Sequence, residues 1–370
     1  MGGFFAPWRA LFLISGFLCN LVAQTPQVPS RFIKNLDAGK PQTWVVFGTS
    51  LSAGGAWVGL LDGYLKARYP GLTTLHNESG SGHSSQWALT ALPNVTRHKA
   101  AVLFTEFAMN DSYFPPRDGF TEGVPVETSR ANLNTIIDAA LAANSAAEVF
   151  PQTMDLPLGI HRVRRPVVEQ YYEGYRQVAA ARKLVLADHM PVWQSILAFD
   201  TAFYLSWVPD SIHPNAEASG AITFPGVLSV LTGARVGITA PANQAVFSPG
   251  STIGIQAQVT TPVTRVDFYQ GKTKIGSDSA APYAFDWKNV PAGKYLIMAK
   301  LMQGAYAVAV SQGVLVRVAN VSAARPRPAW ARLGQDKRAP GYLPDGRRRT
   351  SLRVGVPEFT KPACAGPEDP

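Results

Sequence analysis

The sequence predicts an α/β domain, with a parallel sheet held between two layers of helices, followed by a smaller all-β sandwich. Three observations carry this. From Thr43 to about Gly233, short β-branched or aromatic runs alternate with longer amphipathic ones, as βα units around a parallel sheet require. From Arg235 to Asn320 the helical periodicity stops, and short alternating segments such as Ile253, Ile255, Ala257 and Val259 are broken by Pro and Gly turns. A length of 370 residues at 46% apolar composition is enough to bury two cores.

In the α/β part the strand candidates are Trp44 to Phe47, Leu72 to His76, Ala101 to Phe107, Glu148 to Gln152 and Leu184 to Asp188. Helices are expected at about 56 to 68, 128 to 143 and 166 to 182. In the first of these Val58, Leu61 and Leu65 share one face, the face a helix turns toward a sheet. Strand segments near 236, 252, 264, 273, 283, 294 and 307 predict a seven-strand β-sandwich over residues 235–320. Its runs ITAPANQAVFSPGSTIGIQA, VTRVDFYQGKTKIG and APYAFDW resemble the bacterial immunoglobulin-like modules appended to secreted enzymes.

The ends of the chain differ from its body. Arg9 followed by the apolar run Ala10 to Leu18 and small residues through Ala23 reads as a signal peptide over 1–23, so the chain is expected to be secreted. That run is too short and too soon interrupted by Asn20 for a membrane anchor, which needs about 20 apolar residues. A lipid anchor on Cys19 is the lesser alternative, because Leu18 before it is large. Residues 24–42 are expected to link the signal to the 43–233 domain. The segment 321–370, rich in Pro, Arg and Gly, has no apolar period and is expected to be a disordered basic tail. It holds ten Lys and Arg against five Asp and Glu, more than half of the net +9. A body left so mildly basic calls for no nucleic-acid or other polyanionic partner. With the signal removed, Cys364 is the one remaining cysteine, which excludes an internal disulfide or a cysteine-based zinc site.

Four loops, each following a strand candidate, carry groups suited to serine catalysis. That chemistry needs a base near the hydroxyl, a group to orient the base, and donors aimed at the developing oxyanion. After the first strand, Gly48-Thr49-Ser50-Leu51-Ser52 places Ser50 on a strand-to-helix turn, where a serine is otherwise a helix cap. After the second, the small-residue loop Asn77 to Ser85 contains Gly82, with Gly80 in reserve, whose N–H can approach a substrate oxygen closely. The third strand runs into Ala108-Met109-Asn110-Asp111, where the Asn110 amide is a further donor; the plainer reading is a turn-forming Asn-Asp pair. Late in the domain, Asp210-Ser211-Ile212-His213-Pro214 sets a carboxylate three residues before an imidazole. On a tight loop this brings Asp210 to one ring nitrogen and leaves the other for Ser50.

In this order these four pieces resemble the SGNH/GDSL hydrolase family, over roughly residues 43 to 232. The resemblance implies a flavodoxin-like three-layer α/β/α sandwich and a serine ester hydrolase. It assigns Ser50 as nucleophile, His213 and Asp210 as base and orienter, and the Ser50 N–H, Gly82 and Asn110 as oxyanion hole. Ala108 departs from the family's usual Gly two residues before the Asn. The Gly-x-Ser-x-Gly elbow of the α/β-hydrolases does not occur. No metal or organic cofactor is expected, since His76, His83, His98, His161 and His189 lack paired metal spacing. His83, beside Gly82, is a further candidate substrate contact. An imidazole base also implies that activity falls on acidification.

Substrate choice is expected in the loop Ser112 to Val126, with Tyr113, Phe114, Pro115 and Pro116, and near Trp207, an aromatic rim suited equally to sugars and acyl chains. The reading that follows is a monomeric polysaccharide deacetylase. Its rivals are a lipase, phospholipase or thioesterase on longer acyl chains, and a non-catalytic glycan-binding surface protein.

Overall fold

The computed structural model describes residues 28–114, 123–261 and 263–320. The expected signal and tail, and part of the loop after Asn110, lie outside the described residues. Helices α1 (Arg31–Asp37), α2 (Ser50–Ala53), α3 (Ala56–Arg68), α4 (Ser85–Thr96), α5 (Ala108–Asp111), α6 (Val126–Ala143), α7 (Gly159–Val163), α8 (Val168–Ala181), α9 (Met190–Phe199), α10 (Thr201–Leu205), α11 (Ala216–Ala218) and α12 (Phe224–Thr232) surround a sheet of five strands. These are β1 (Gln42–Gly48), β2 (Thr73–Asn77), β3 (Val102–Glu106), β4 (Glu148–Thr153) and β5 (Ala187–Asp188), all parallel, in the order β2-β1-β3-β4-β5.

The continuous apolar run of β1 is what a strand covered on both faces needs. Its side chains alternate between two cores: Trp44 and Val46 join Phe104 and Phe150 beneath α1, α3 and α12, whereas Val45 and Phe47 join Leu103 and Val149 beneath α4, α6 and α8. In α3 the expected Val58, Leu61 and Leu65 are buried, and Trp57 and Tyr64 widen that face.

Two expectations in this part differ from the structure. Residues 31–37 of the predicted linker form α1, because Ser30 Oγ caps Ile33 N at 3.2 Å and Phe32, Ile33 and Leu36 have a core face to fill. The strand predicted over 184–188 contracts to Ala187 and Asp188. Upstream the chain is still closing α8, with Leu184 N bonded to Ala179 O at 2.8 Å and Lys183 at φ 54°.

The C-terminal sandwich has nine strands rather than seven: β6 (Val236–Ala240), β7 (Ala245–Phe247), β8 (Ile253–Val259), β9 (Arg265–Gln270), β10 (Thr273–Asp278), β11 (Tyr283–Trp287), β12 (Gly293–Gln303), β13 (Tyr306–Val310) and β14 (Val314–Val318). One sheet runs β10-β9-β12-β14-β7 with β13 also on β12, and the other runs β11-β8-β6. The two extra strands are the three-residue β7 and the last strand β14, which pair with each other in parallel. A strand of three residues is too short to show a period.

The sandwich shares a core with the α/β part: Trp193, Ile196, Tyr204 and Trp207 pack with Leu296, Met298 and Leu315. Polar contacts reinforce this seam, with Gly313 N donating to Ser195 Oγ at 3.0 Å and Lys272 paired with Glu217 at 2.7 Å. The two parts should therefore unfold together. Leu296→Ala, at a fully buried position, should cost about 2–5 kcal/mol. It should lower the temperature at which esterase activity and sandwich β-structure are lost by the same amount. Separate transitions, with activity unmoved, would show the parts to be independent.

Candidate active site

The loop at the end of β1 is built around a carboxylate. Thr49 caps α2, its Oγ1 accepting from Leu51 N at 3.2 Å, which places Ser50 at the first helical position. Beneath the turn Glu106, 1% exposed at the end of β3, accepts from Thr49 N at 2.7 Å, Thr49 Oγ1 at 3.0 Å and Ser52 Oγ at 2.8 Å. A Cβ on Gly48 would lie 2.3 Å from Glu106 Oε1, so the side chain that holds the turn also demands the glycine before it. Burial pushes the Glu106 carboxyl up to about 7, with the hydrogen bonds from Thr49 and Ser52 partly offsetting it.

Ser50 Oγ lies 2.8 Å from His213 Nε2, and His213 Nδ1 lies 2.6 Å from Asp210 Oδ2. The three residues thus form one line of hydrogen bonds, assembled from the loop after β1 and the loop after α10. Asp210 Oδ1 also accepts from Ile212 N at 3.1 Å and His213 N at 2.7 Å, closing the turn that aims the ring, with Ser211 at φ 71°. Partial burial raises the Asp210 pKa, but the hydrogen bonds from His213 and Ile212 outweigh it and hold the carboxyl below its ordinary value. An ionised Asp210 keeps the imidazole proton on Nδ1, which leaves Nε2 as the acceptor for the Ser50 hydroxyl.

The candidate oxyanion donors keep hydrogens available. The N–H groups of Ser50 and Gly82 have no hydrogen-bond partner among the described residues, and Gly82 adopts φ 78°, a conformation that favours glycine. Gly80, the reserve candidate, spends its N–H on Gly48 O at 2.9 Å. The Asn110 amide, 4% exposed, donates one hydrogen to His83 O at 2.9 Å and retains a second. The extra methyl of Ala108 is buried in the core beneath α4, α6 and α8.

Several supporting residues escaped the sequence reading. Arg165, 5% exposed, donates through Nε to Met109 O at 2.7 Å and lies 5.1 Å over the Tyr113 ring, which fixes the backbone beside Asn110. Asp111 accepts from Ser85 N at 2.7 Å and Ser129 Oγ at 2.5 Å; burial raises its carboxyl to about 6. The one sequence signal for Glu106 is a charge inside the apolar run AVLFTEF.

Part of the expected aromatic rim is buried, and its Pro115 and Pro116 lie outside the described residues. Trp207 is 2% exposed, inside the core shared with the sandwich, and Tyr113 is 8% exposed beneath Arg165; Phe114 alone of these is open, at 65%. His83 stacks on Trp87, with ring centroids 4.0 Å apart. A cleft of about 250 Å³ opens at Ser50 and His213, walled by Trp57, Ser81, Met154 and Thr223.

A hydroxyl bonded to an imidazole, itself bonded to a carboxylate, on a parallel α/β sandwich is the equipment of a serine ester hydrolase. Residues 45–221 match the family of GDSL-like lipases/acylhydrolases, and residues 235–310 match the bacterial Ig domain. The chain thus carries a GDSL-like lipase/acylhydrolase domain followed by a bacterial Ig domain, and it is a serine ester hydrolase. Among solved structures it is similar to Axe2, an acetylxylan esterase from Geobacillus stearothermophilus, at 16% identity over 52% of this chain and 95% of that one, with a TM-score of 0.45. It is similar to TesA at 25% identity over 51% and 98%, with a TM-score of 0.40. Over 22% of its length it is similar to the fibronectin(III)-like modules of Clostridium thermocellum CbhA, at 34% identity over 93% of that chain, with a TM-score of 0.22. No curated protein matches the chain.

Proposed function

We propose that this protein is a secreted esterase that removes short acyl groups, chiefly acetyl, from polysaccharides through an acyl-enzyme on Ser50. The observation that carries the reading is the shape around that hydroxyl. The cleft of about 250 Å³ falls below the 300–1,000 Å³ usual for drug-sized ligands. Trp57 and Met154 in its wall are 1% and 2% exposed, whereas the side chains of His213, which also lines it, and of Asp210 are 43% and 52% exposed. A cleft of this size suits a small acyl group, and the exposure of His213 leaves the alcohol side accessible to a bulky sugar polymer.

In this reading His213 Nε2 takes the Ser50 proton as Oγ attacks the ester carbonyl. The oxyanion is received by the N–H groups of Ser50 and Gly82 and the free hydrogen of the Asn110 amide. His213 then protonates the departing sugar oxygen, and water activated by the same nitrogen releases the acyl group. Asn110→Ala removes one oxyanion donor together with the resting hydrogen bond to His83 O, so kcat should fall at least about 100-fold, a larger effect than any on KM. A change confined to KM would place Asn110 in ground-state binding instead.

Export through residues 1–23 and action as a monomer without a cofactor belong to the same reading. Among the described residues no helix is long and apolar enough to cross a membrane. The experiment that tests the function is a panel of nitrophenyl esters together with acetylated xylan and pectin. Acetate should be preferred over octanoate and acetic acid released from polymer. Preference for octanoate would overturn the reading in favour of a lipase or thioesterase, and absence of turnover on every ester would favour a glycan-binding protein.

A further inference from the structure

A second cluster of chemistry-bearing side chains lies at the sheet edge, outside the Ser50 site. His76 and Glu78 sit two residues apart at the end of β2, the edge strand, and so point to the same side of it. His98, just beyond the end of α4, meets them there. One donor atom from each, two imidazole nitrogens and a carboxylate oxygen, lie within 4.8 Å of one another. His98 Nε2 is 2.7 Å from Glu78 Oε1, with side chains 12% and 19% exposed, and the His76 and His98 rings stack at 3.7 Å. We propose that His76, Glu78 and His98 form a binding site for a divalent transition metal of the zinc class.

The donor set selects the metal. Two neutral imidazoles and one carboxylate are the ligands of open zinc sites, whose remaining position holds water, whereas magnesium and calcium favour oxygen throughout. Tetrahedral ligands about 2.0–2.2 Å from a zinc ion lie about 3.3 Å apart, so the three donors need shifts of 1–2 Å, within the reach of side-chain rotation. The ring planes lie 14° from parallel, and side-chain rotation has to bring the donor atoms round one ion. Arg97 now occupies the cation position on Glu78 at 3.2 Å. Its side chain is 60% exposed and free to swing into solvent when the ion enters.

The position also gives the site a consequence. Glu78 and His98 flank the segment made of the Gly82 loop and α4, and Glu78 N is bonded to Val46 O at 2.8 Å. An ion held by both would tie the far end of α4 to the start of the loop that presents the Gly82 N–H. The role is structural, distinct from the Ser50 chemistry, and its test does not depend on which ester is hydrolysed.

Equilibrium dialysis of the full chain against zinc chloride, with magnesium chloride as comparison, tests it. One zinc per chain should be retained and no magnesium, and the unfolding temperature should rise with zinc. His76→Ala and His98→Ala should each weaken binding at least 10-fold, with circular dichroism confirming that they fold. His213→Ala should bind as the unaltered protein does, separating this site from the histidine beside Ser50. Arg97→Ala should strengthen binding by removing the competing cation, an effect that a purely structural histidine pair would not produce. Retention of zinc by both histidine variants, or no zinc bound at 100-fold excess, would overturn the proposal.

Discussion

Ser50→Ala is expected to reduce turnover of nitrophenyl acetate by about 10⁴-fold or more and to abolish covalent labelling by a fluorophosphonate probe, with little change in stability. The size follows from the chemistry: without the hydroxyl there is no acyl-enzyme, and what remains is the contribution of oxyanion donors and binding alone. The small stability change follows from the contacts, since Ser50 Oγ makes one hydrogen bond, to His213 Nε2 at 2.8 Å, of a kind worth about 0.5–1.5 kcal/mol. His213→Ala should match it in rate, because nucleophile and base act as a unit and their losses do not add. Labelling that survives Ser50→Ala would move the nucleophile elsewhere. A Ser50→Ala protein that keeps more than a few per cent of the rate would remove the acyl-enzyme from the proposal altogether.

Much of the site is legible in the sequence itself, and the boundary has physical causes. Ser50, Asp210 and His213 could be read because each sits in a short segment whose residue types answer to one chemistry, and Asp210 to His213 closes its own local turn. The sequence puts Gly82 ahead of Gly80, and the fold adds the physical reason, an N–H of Gly80 already spent on Gly48 O. Glu106 and Arg165 act through contacts 57 and 56 residues away in sequence, and nothing local in the chain encodes such a pairing. The burial of Trp207 is not legible in its own segment. It is the packing of the sandwich, through Leu296, Met298 and Leu315, that buries the residue. The trio His76, Glu78 and His98 was invisible for the same reason, as β2 and the end of α4 are neighbours only in space.

The buried carboxylate under the Ser50 turn gives the second large effect. Glu106→Ala strands the Thr49 N–H and the Thr49 and Ser52 hydroxyls in a site 1% exposed, at about 1–3 kcal/mol for each buried group left unpaired. Fold and activity should fail together. Glu106→Gln is the informative partner, because it keeps an acceptor and removes the charge. With its folded value near 7 and its ordinary value at 4.5, the carboxyl holds more protons folded than unfolded between those limits. Its contribution to stability is therefore largest below about pH 4.5 and declines as pH rises toward 7, by on the order of 3 kcal/mol at 1.36 kcal/mol per unit. His189, lowered to about 4 by burial with Asp188 opposing, acts with the opposite sign across the same window, so the profile of the unaltered protein alone is a sum of cancelling trends. The readout is the difference between the two proteins: Glu106→Gln should be the less stable at pH 5 and gain steadily on the unaltered protein up to pH 8. Parallel unfolding curves at every pH would mean that Glu106 does not change its protonation in this range, and that the turn beneath Ser50 is held by hydrogen bonds of fixed charge.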